Sequence, residues 1–135
     1  MSESIQHQKL VRFLTVEIKK MIQSDCWSLI QIDSPESSEL PPQTDDGYRP
    51  DVYYRFESLL IIGEAKTKND IEKHRSRAQY ESYLKECSIF SGQAFMVLAV
   101  PLLEKTSASN ILKRMKKEIP GDYEIVVTGW IEDLT

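Results

Sequence analysis

Two consecutive apolar segments, each with charged residues at one end, constrain the fold of this chain more than any other feature. The first runs from Gly47 to Tyr54 and the second from Leu59 to Thr67, with Arg55 to Ser58 between them. Both are rich in β-branched, aromatic and aliphatic residues, which is typical of consecutive antiparallel strands. The sequence therefore predicts a hairpin whose polar residues lie at the strand ends.

The second segment is predicted to carry an acid and a base on one packed face. Side chains alternate along a strand, so Leu60, Ile62, Glu64 and Lys66 share that face. A charge on a mostly buried face is costly unless it is paired or bound to a metal, and Asp51 on the partner strand is the expected third member. Two neighbouring carboxylates repel each other. A hard divalent cation removes that repulsion while it binds a phosphate oxygen and a water.

The order of these residues resembles a known nuclease motif. Pro50 and Asp51, followed after an aliphatic strand by Glu64 to Lys66, resemble the motif of the PD-(D/E)XK nucleases. Gln79 and Tyr83, four residues apart on the next predicted helix, resemble the QxxxY element of the RecB-like branch, which is also similar to Holliday-junction resolvases. The resemblance covers roughly residues 1 to 100 as an architecture rather than as close sequence similarity.

The resemblance implies a role for each residue of the motif. Asp51 and Glu64 would hold one or two Mg²⁺ or Mn²⁺ ions, with the backbone carbonyl of Ala65 completing the ligand set. Lys66 would orient the attacking water or stabilise the charge of the transition state. Gln79 would contact a phosphate, a base edge or the nucleophilic water.

The segment after the motif carries several cations that suit nucleic-acid phosphates. We predict that Lys68, Lys73, Arg75 and Arg77 contact the nucleic-acid backbone and that Tyr83 takes part in binding. A run of charges on a helix is most often a solvated face. Its position beside the predicted carboxylates favours phosphate binding here.

The first predicted helix offers further candidates for the site. In the resembled superfamily this helix supplies an acidic or histidine residue beside the metal, and Glu3, His7 and Glu17 are the candidates here. The alternative is that Glu3 is solvated and His7 is an ordinary surface histidine. Asp45 and Asp46 precede the hairpin and are expected to be solvated rather than to bind a metal.

Periodicity and turn residues predict the order of the remaining elements. Helices are predicted over Ser4–Gln23, from Asn69 or Asp70 to about Glu86, and from Ser107 or Ser109 to Lys117. Further strands are predicted over Trp27–Ile32, Gln93–Val100 and Tyr123–Trp130. The segment Ser34–Gly47 is predicted to be a functional or mobile loop. This order predicts an α/β protein with a three-layer α/β/α architecture and a mixed central sheet. It is similar to the αβββαβ core of restriction-endonuclease-like proteins, followed by a C-terminal helix and strand.

Length and composition set broad limits. The 135 residues fit a single domain, residues 1–135. The longest apolar run, Ala94 to Leu103, is about half the length that spans a bilayer, and the N-terminus has no signal-peptide character, so a cytoplasmic protein without membrane contact is expected. Cys26 and Cys87 are expected to be reduced thiols. The net charge of −4 excludes a surface covered in positive charge, so local basic patches must bind any phosphate.

These observations predict a metal-dependent nuclease that hydrolyses phosphodiester bonds, with DNA favoured as the substrate by analogy. One alternative is a catalytically silent nucleic-acid-binding or assembly module of the same fold. Another is a nuclease subunit that needs a partner. A chain of 135 residues leaves no separate recognition domain, so a homodimer or a larger complex would then supply specificity.

Overall fold

A five-stranded sheet with helices on both faces forms the fold in a computed structural model that describes residues 4–131. The strands are β1 (Gln31–Ile32), β2 (Val52–Phe56), β3 (Leu59–Ala65), β4 (Gln93–Pro101) and β5 (Glu124–Trp130). The helices are α1 (Ile5–Lys19), α2 (His74–Ile89) and α3 (Lys105–Glu118), and short 3-10 helices lie at Ser24–Leu29, Lys68–Asp70 and Leu102–Glu104. No helix in this part of the chain is long and apolar enough to cross a membrane.

The strands lie side by side in the order in which they follow each other along the chain. The β1–β2 and β2–β3 pairs are antiparallel, whereas the β3–β4 and β4–β5 pairs are parallel. Parallel neighbours need a crossover connection, and α2 and α3 supply the two crossovers. The predicted α/β class and mixed sheet are therefore confirmed.

Two hydrophobic cores separate the helices into layers. One core lies between the sheet and α1, where Leu14 and Ile18 pack with Ile61 and other apolar residues of the central strands. The other core lies on the opposite face, where Leu60 and Ile62 pack with residues of α2 and α3. Side chains of β3 alternate between the two cores as predicted from the period-two pattern.

Gly63 brings α1 close to the middle of the sheet. A Cβ atom at this position would lie 2.7 Å from Ile18 Cδ1 and 3.2 Å from a Leu14 methyl carbon. A larger residue there would force these side-chain methyl groups to move. This close contact holds the first helix against the strand that carries Glu64.

The predicted strand over Trp27–Ile32 is wrong, because most of this segment forms the 3-10 helix at Ser24–Leu29 and only Gln31–Ile32 pairs with β2. The Trp27 indole N–H donates a hydrogen bond of 3.0 Å to the Lys19 carbonyl, and the Lys19 ammonium lies 5.3 Å from the centre of the indole ring. These contacts with the end of α1 draw the chain away from the sheet.

The hairpin is shifted relative to the prediction. Strand β2 begins at Val52 instead of Gly47 and continues through Phe56 to a turn at residues 57–58. Glu57 adopts a φ of 55°, which a tight two-residue hairpin turn requires. The residues before β2 are instead held by hydrogen bonds in the loop, including that from the Thr44 amide to the Tyr48 carbonyl at 2.8 Å.

Helix boundaries also differ from the prediction. Ser4 caps α1, since its hydroxyl accepts from the His7 amide at 3.0 Å, and α1 ends at Lys19 rather than at the predicted Gln23. Helix α2 begins at His74 rather than near Asp70, because residues 68–70 form a separate 3-10 helix in which Asp70 accepts from the Thr67 hydroxyl at 3.1 Å. Helix α3 follows the third 3-10 helix directly, so it begins before the predicted serine caps.

Candidate metal and phosphate site

The acidic residues of the motif face each other at one end of the β2–β3 hairpin. Val52 pairs with Gly63, so the preceding residue, Asp51, lies opposite Glu64. Both side chains are nearly inaccessible to solvent, with 7% of Asp51 and 3% of Glu64 exposed. The fold therefore places two carboxyl groups together in a buried position at the C-terminal end of β3.

Asp51 is fixed by contacts from two elements. Its Oδ2 atom accepts a hydrogen bond of 2.9 Å from the Ala65 amide and lies 3.3 Å from Nε2 of His7. The backbone carbonyl of Asp51 accepts from the Asp33 amide at 2.9 Å. The carboxyl group thus bridges the end of β3 and the first turns of α1.

Lys66 follows β3 and extends its side chain over the same region. Its ammonium lies 3.5 Å from Glu64 Oε2 and donates a hydrogen bond of 2.5 Å to Gln79 Oε1 on α2. Its backbone amide donates to the Ala99 carbonyl at 3.0 Å, which anchors the residue to β4. Gln79 therefore contacts Lys66 directly, and the structure brings these residues together with Asp51 and Glu64.

Glu64 has one carboxyl oxygen without a hydrogen-bond partner. Its Oε1 atom and the Tyr83 hydroxyl are both buried, and neither makes a hydrogen bond within the described residues. The two groups are close enough for each to shift the pKa of the other, but their geometry falls short of a hydrogen bond. A buried polar atom without a partner is costly, and its presence favours a ligand at this position.

The protonation of Glu64 reflects this environment. Burial raises the pKa of Glu64 well above its ordinary value, and the nearby Asp51 raises it further, while the Lys66 ammonium acts in the opposite direction. Burial, assisted by Glu64, also raises the pKa of the Tyr83 hydroxyl, which stays neutral. Glu64 is thus held as a neutral acid over a wider pH range than a solvated glutamate.

The donor set fits a cation that needs few protein ligands. No group of three or more His, Cys, Asp or Glu side chains suited to a metal occurs among residues 4–131. Structural zinc, which takes four protein ligands, does not fit this pair of carboxyl groups. Mg²⁺ fits, because it keeps several waters and commonly binds through one or two carboxylates and substrate phosphates. Oε1 of Glu64, which has no hydrogen-bond partner in the described residues, could supply one such ligand.

The structure separates the three candidates on the first helix. Glu3 lies outside the described residues. His7 contacts Asp51, as stated above. Glu17 accepts a hydrogen bond of 3.2 Å from the Thr128 hydroxyl on β5 and pairs with Lys20 at 2.8 Å, so its carboxylate is engaged away from the motif.

The predicted phosphate-binding cations are all exposed, but they differ in their partners. Lys73 forms a 2.7 Å ion pair with Asp70, and Arg77 lies 3.9 Å from Glu72. The Arg75 guanidinium lies over the Tyr48 ring at 5.3 Å. Lys68 and Arg75 have no acidic partner in the described part of the chain, so their charges are the ones available to a phosphate.

The predicted contact of Tyr83 with nucleic acid needs a correction. Its side chain has no exposed surface, because it lies in the core between α2 and the sheet. Nucleic acid cannot reach it in this structure. Its hydroxyl lies beside Glu64 instead, so any influence of Tyr83 on the site passes through that carboxyl group.

Sequence reasoning missed the residues that hold the loop before the hairpin. The Ser82 hydroxyl on α2 donates a hydrogen bond of 2.6 Å to the buried Thr44 hydroxyl, which also accepts from the Tyr48 amide at 3.2 Å. Arg49 donates from Nε to the Pro41 carbonyl at 2.9 Å. The loop is therefore attached to α2. No local pattern marks Thr44 and Ser82, which lie 38 residues apart.

Comparisons of this chain with protein-family models, with curated proteins and with solved structures find no match.

Proposed function

We propose that this protein is a metal-dependent nuclease of the restriction-endonuclease-like fold that hydrolyses phosphodiester bonds, with DNA as the favoured substrate. One observation carries most of the proposal. Two buried carboxyl groups face each other beside a lysine, and one of their oxygens has no protein partner. A purely structural cluster would be expected to satisfy that oxygen.

Asp51 and Glu64 would hold Mg²⁺ or Mn²⁺, with the Ala65 carbonyl as the further ligand that the resemblance implies. A metal bound there would polarise a phosphate and lower the pKa of a water. The Ala65 amide and His7 keep the Asp51 carboxylate in place for this task. The buried Tyr83 hydroxyl lies beside Glu64.

Lys66 is the residue that would act on the transition state. Its ammonium is held between Glu64 and Gln79, so its position is fixed before substrate binds. A fixed positive charge in a poorly solvated site stabilises negative charge that develops during the reaction. Gln79 contributes by orienting that ammonium through its carbonyl oxygen.

The start of α2 supplies phosphate contacts next to this centre. Helix α2 has no acidic residue in its first turn and no side chain that caps its N-terminus, so its first amides remain available to an anion. Lys68 and Arg75 add positive charge that no acid neutralises in the described chain. Backbone phosphates on either side of the scissile bond are the ligands that match this surface.

A cleavage assay tests the proposal. Purified protein would be incubated with single-stranded, duplex, flapped and branched DNA in the presence of Mg²⁺, Mn²⁺ or a chelator. We expect metal-dependent cleavage that Glu64→Gln and Asp51→Asn abolish, while Glu118→Gln, which changes an exposed acid on α3, leaves it intact. Binding of DNA without cleavage of any substrate would instead support a binding module of the same fold.

A further inference from the structure

The Arg75 guanidinium contacts an aromatic ring instead of an acid. It lies over the Tyr48 ring at 5.3 Å from the ring centre, and it forms no ion pair within residues 4–131. Lys73, by contrast, is paired with Asp70 at 2.7 Å, which cancels part of its charge. An aromatic ring attracts a cation through the negative face of its π system but carries no net charge. Tyr48 therefore holds Arg75 without neutralising it.

Tyr48 is itself held in place by the loop before β2. The Thr44 amide donates to the Tyr48 carbonyl at 2.8 Å, and the Tyr48 amide donates to the Thr44 hydroxyl at 3.2 Å. The Gly47 amide donates to the Thr44 carbonyl at 2.9 Å, and the Gly47 φ of 89° lies in the region that favours glycine. The Ser82 hydroxyl joins Thr44 to α2, and the Tyr48 ring packs against the hydrophobic core on that face of the sheet. The ring is therefore a fixed support for the cation.

Tyr48 and Arg75 lie close to the buried carboxyl pair. Tyr48 comes three residues before Asp51 in the chain, and Arg75 lies in the first turn of α2. Burial and Glu64 raise the pKa of the Tyr83 hydroxyl, and Arg75 acts on this pKa in the opposite direction. Such an effect requires Arg75 to be near the hydroxyl that lies beside Glu64. The cation that Tyr48 supports is therefore close to the candidate metal site.

We propose that Tyr48 is a positioning residue whose ring holds the Arg75 guanidinium ready for a nucleic-acid phosphate next to the scissile one. This inference rests on the proposed nucleic-acid substrate. Ordering a free arginine side chain during binding weakens affinity by about two- to tenfold, and a side chain that is ordered beforehand avoids this loss. The ring contact also occupies no hydrogen-bond acceptor, so the guanidinium donors remain available for phosphate oxygens.

A double-mutant cycle on DNA binding tests the proposal. Fluorescence anisotropy in chelator at fixed ionic strength would give the dissociation constants for single-stranded and duplex DNA without any cleavage. Tyr48→Leu keeps an apolar side chain but removes the ring, and should raise the dissociation constant about two- to tenfold. In the Arg75→Ala background the same substitution should have no further effect, because the side chain that Tyr48 positions is gone. Tyr48→Phe keeps the ring and should retain most of the affinity.

The chain offers a matched control at the far end of the hairpin. The Arg55 guanidinium lies 5.1 Å from the centre of the Phe90 ring, and Arg55 pairs with Leu60, away from Asp51. Phe90→Leu therefore removes an aromatic ring beneath an arginine without touching the candidate site. It should leave the dissociation constant unchanged.

Three results would overturn the inference. One is a loss of affinity from Tyr48→Leu that persists in the Arg75→Ala background, since Tyr48 would then act on the loop as a whole. The second is an equal loss from Phe90→Leu, and the third is a wild-type protein that binds no DNA up to about 100 µM.

Cleavage in Mg²⁺, measured separately, distinguishes this inference from the proposed function. Metal-dependent cleavage without coupling between Tyr48 and Arg75 would overturn the inference and leave the nuclease proposal intact. Coupling in the binding cycle without cleavage of any substrate would support the inference and count against the nuclease.

Discussion

Replacing Glu64 by glutamine should make the metal-free protein more stable at neutral pH. In the folded protein, burial and the neighbouring Asp51 hold the pKa of Glu64 well above its ordinary value. In the unfolded chain the same carboxyl group ionises near pH 4.3. Between these two pKa values, the folded state binds one proton that the unfolded state lacks.

The sign of the pH dependence follows from this difference. The stabilising contribution of protonated Glu64 is fully present below the unfolded pKa and is lost as the pH rises through the folded pKa. Within that window the free energy of unfolding should fall by about 1.4 kcal/mol per pH unit. Each 1 kcal/mol corresponds to roughly 3–5 °C in the melting temperature of a chain of this length.

Glutamine keeps the volume of Glu64 but does not titrate. The variant should therefore lose the part of the pH dependence of the free energy of unfolding that comes from Glu64. Thermal melts and urea unfolding in chelator from about pH 4 to pH 9 measure it, with Glu118→Gln as the control for an exposed acid. Equal slopes for the wild type and Glu64→Gln would show that Glu64 is ionised in the folded protein, and the reasoning would be wrong.

Metal should reduce the difference in stability between the wild type and Glu64→Gln. A ligand present at ten times its dissociation constant stabilises the folded state by about 1.4 kcal/mol. Mg²⁺ should therefore raise the melting temperature of the wild type, with a larger effect as Glu64 loses its proton at higher pH. Glu64→Gln should show no such rise. An unchanged wild-type melting curve in millimolar Mg²⁺ would count against a site that forms before substrate binds.

Three further predictions concern neighbouring residues. Lys66→Ala should leave DNA affinity nearly unchanged and reduce the cleavage rate by about 10² or more, measured by single-turnover kinetics, since its charge acts mainly on the transition state. Arg75→Ala should weaken DNA binding and reduce the magnitude of the slope of log affinity against log salt concentration by about 0.9, whereas Lys117→Ala at the end of α3 should change neither. An equal loss of affinity in both variants would indicate non-specific attraction. Ser82→Ala should lower the free energy of unfolding, measured in urea, by about 1 kcal/mol and speed proteolysis of the loop that contains Thr44, because the buried Thr44 hydroxyl loses its donor. An unchanged proteolytic pattern would show that this hydrogen bond does not hold the loop.

Structural features that follow from a fixed period in the sequence were predicted correctly. The alternation along β3 specified which face carries Leu60, Ile62 and Glu64, because a shift by one residue would move every apolar side chain out of the core. The helical period predicted a helix over this part of the chain, and Leu14 and Ile18, four residues apart on α1, both lie in the core. In both cases the hydrophobic pattern itself determines the packing.

Features that depend on contacts between distant residues were not predictable. The segment around Trp27 has the composition of a strand, but its indole bonds with the end of α1. The attachment of the loop through Thr44 and Ser82 has no local signature. The sequence also left open which first-helix residue approaches Asp51, because only the path of α1 across the sheet brings His7 there.

Most contacts of the site join residues that are close in the sequence, and this separation affects the order in which the site folds. Asp51 and Ala65 are 14 residues apart, and Lys66 and Gln79 are 13 apart, whereas the contact of His7 with Asp51 spans 44 residues. By the logarithmic scaling of loop closure, the long contact costs about 1 kcal/mol more chain entropy than the short ones. The hairpin and α2 can therefore assemble the carboxyl pair before α1 docks. A transient detachment of the first turn of α1 would uncover Asp51 while Glu64, Lys66 and their mutual contact stay in place.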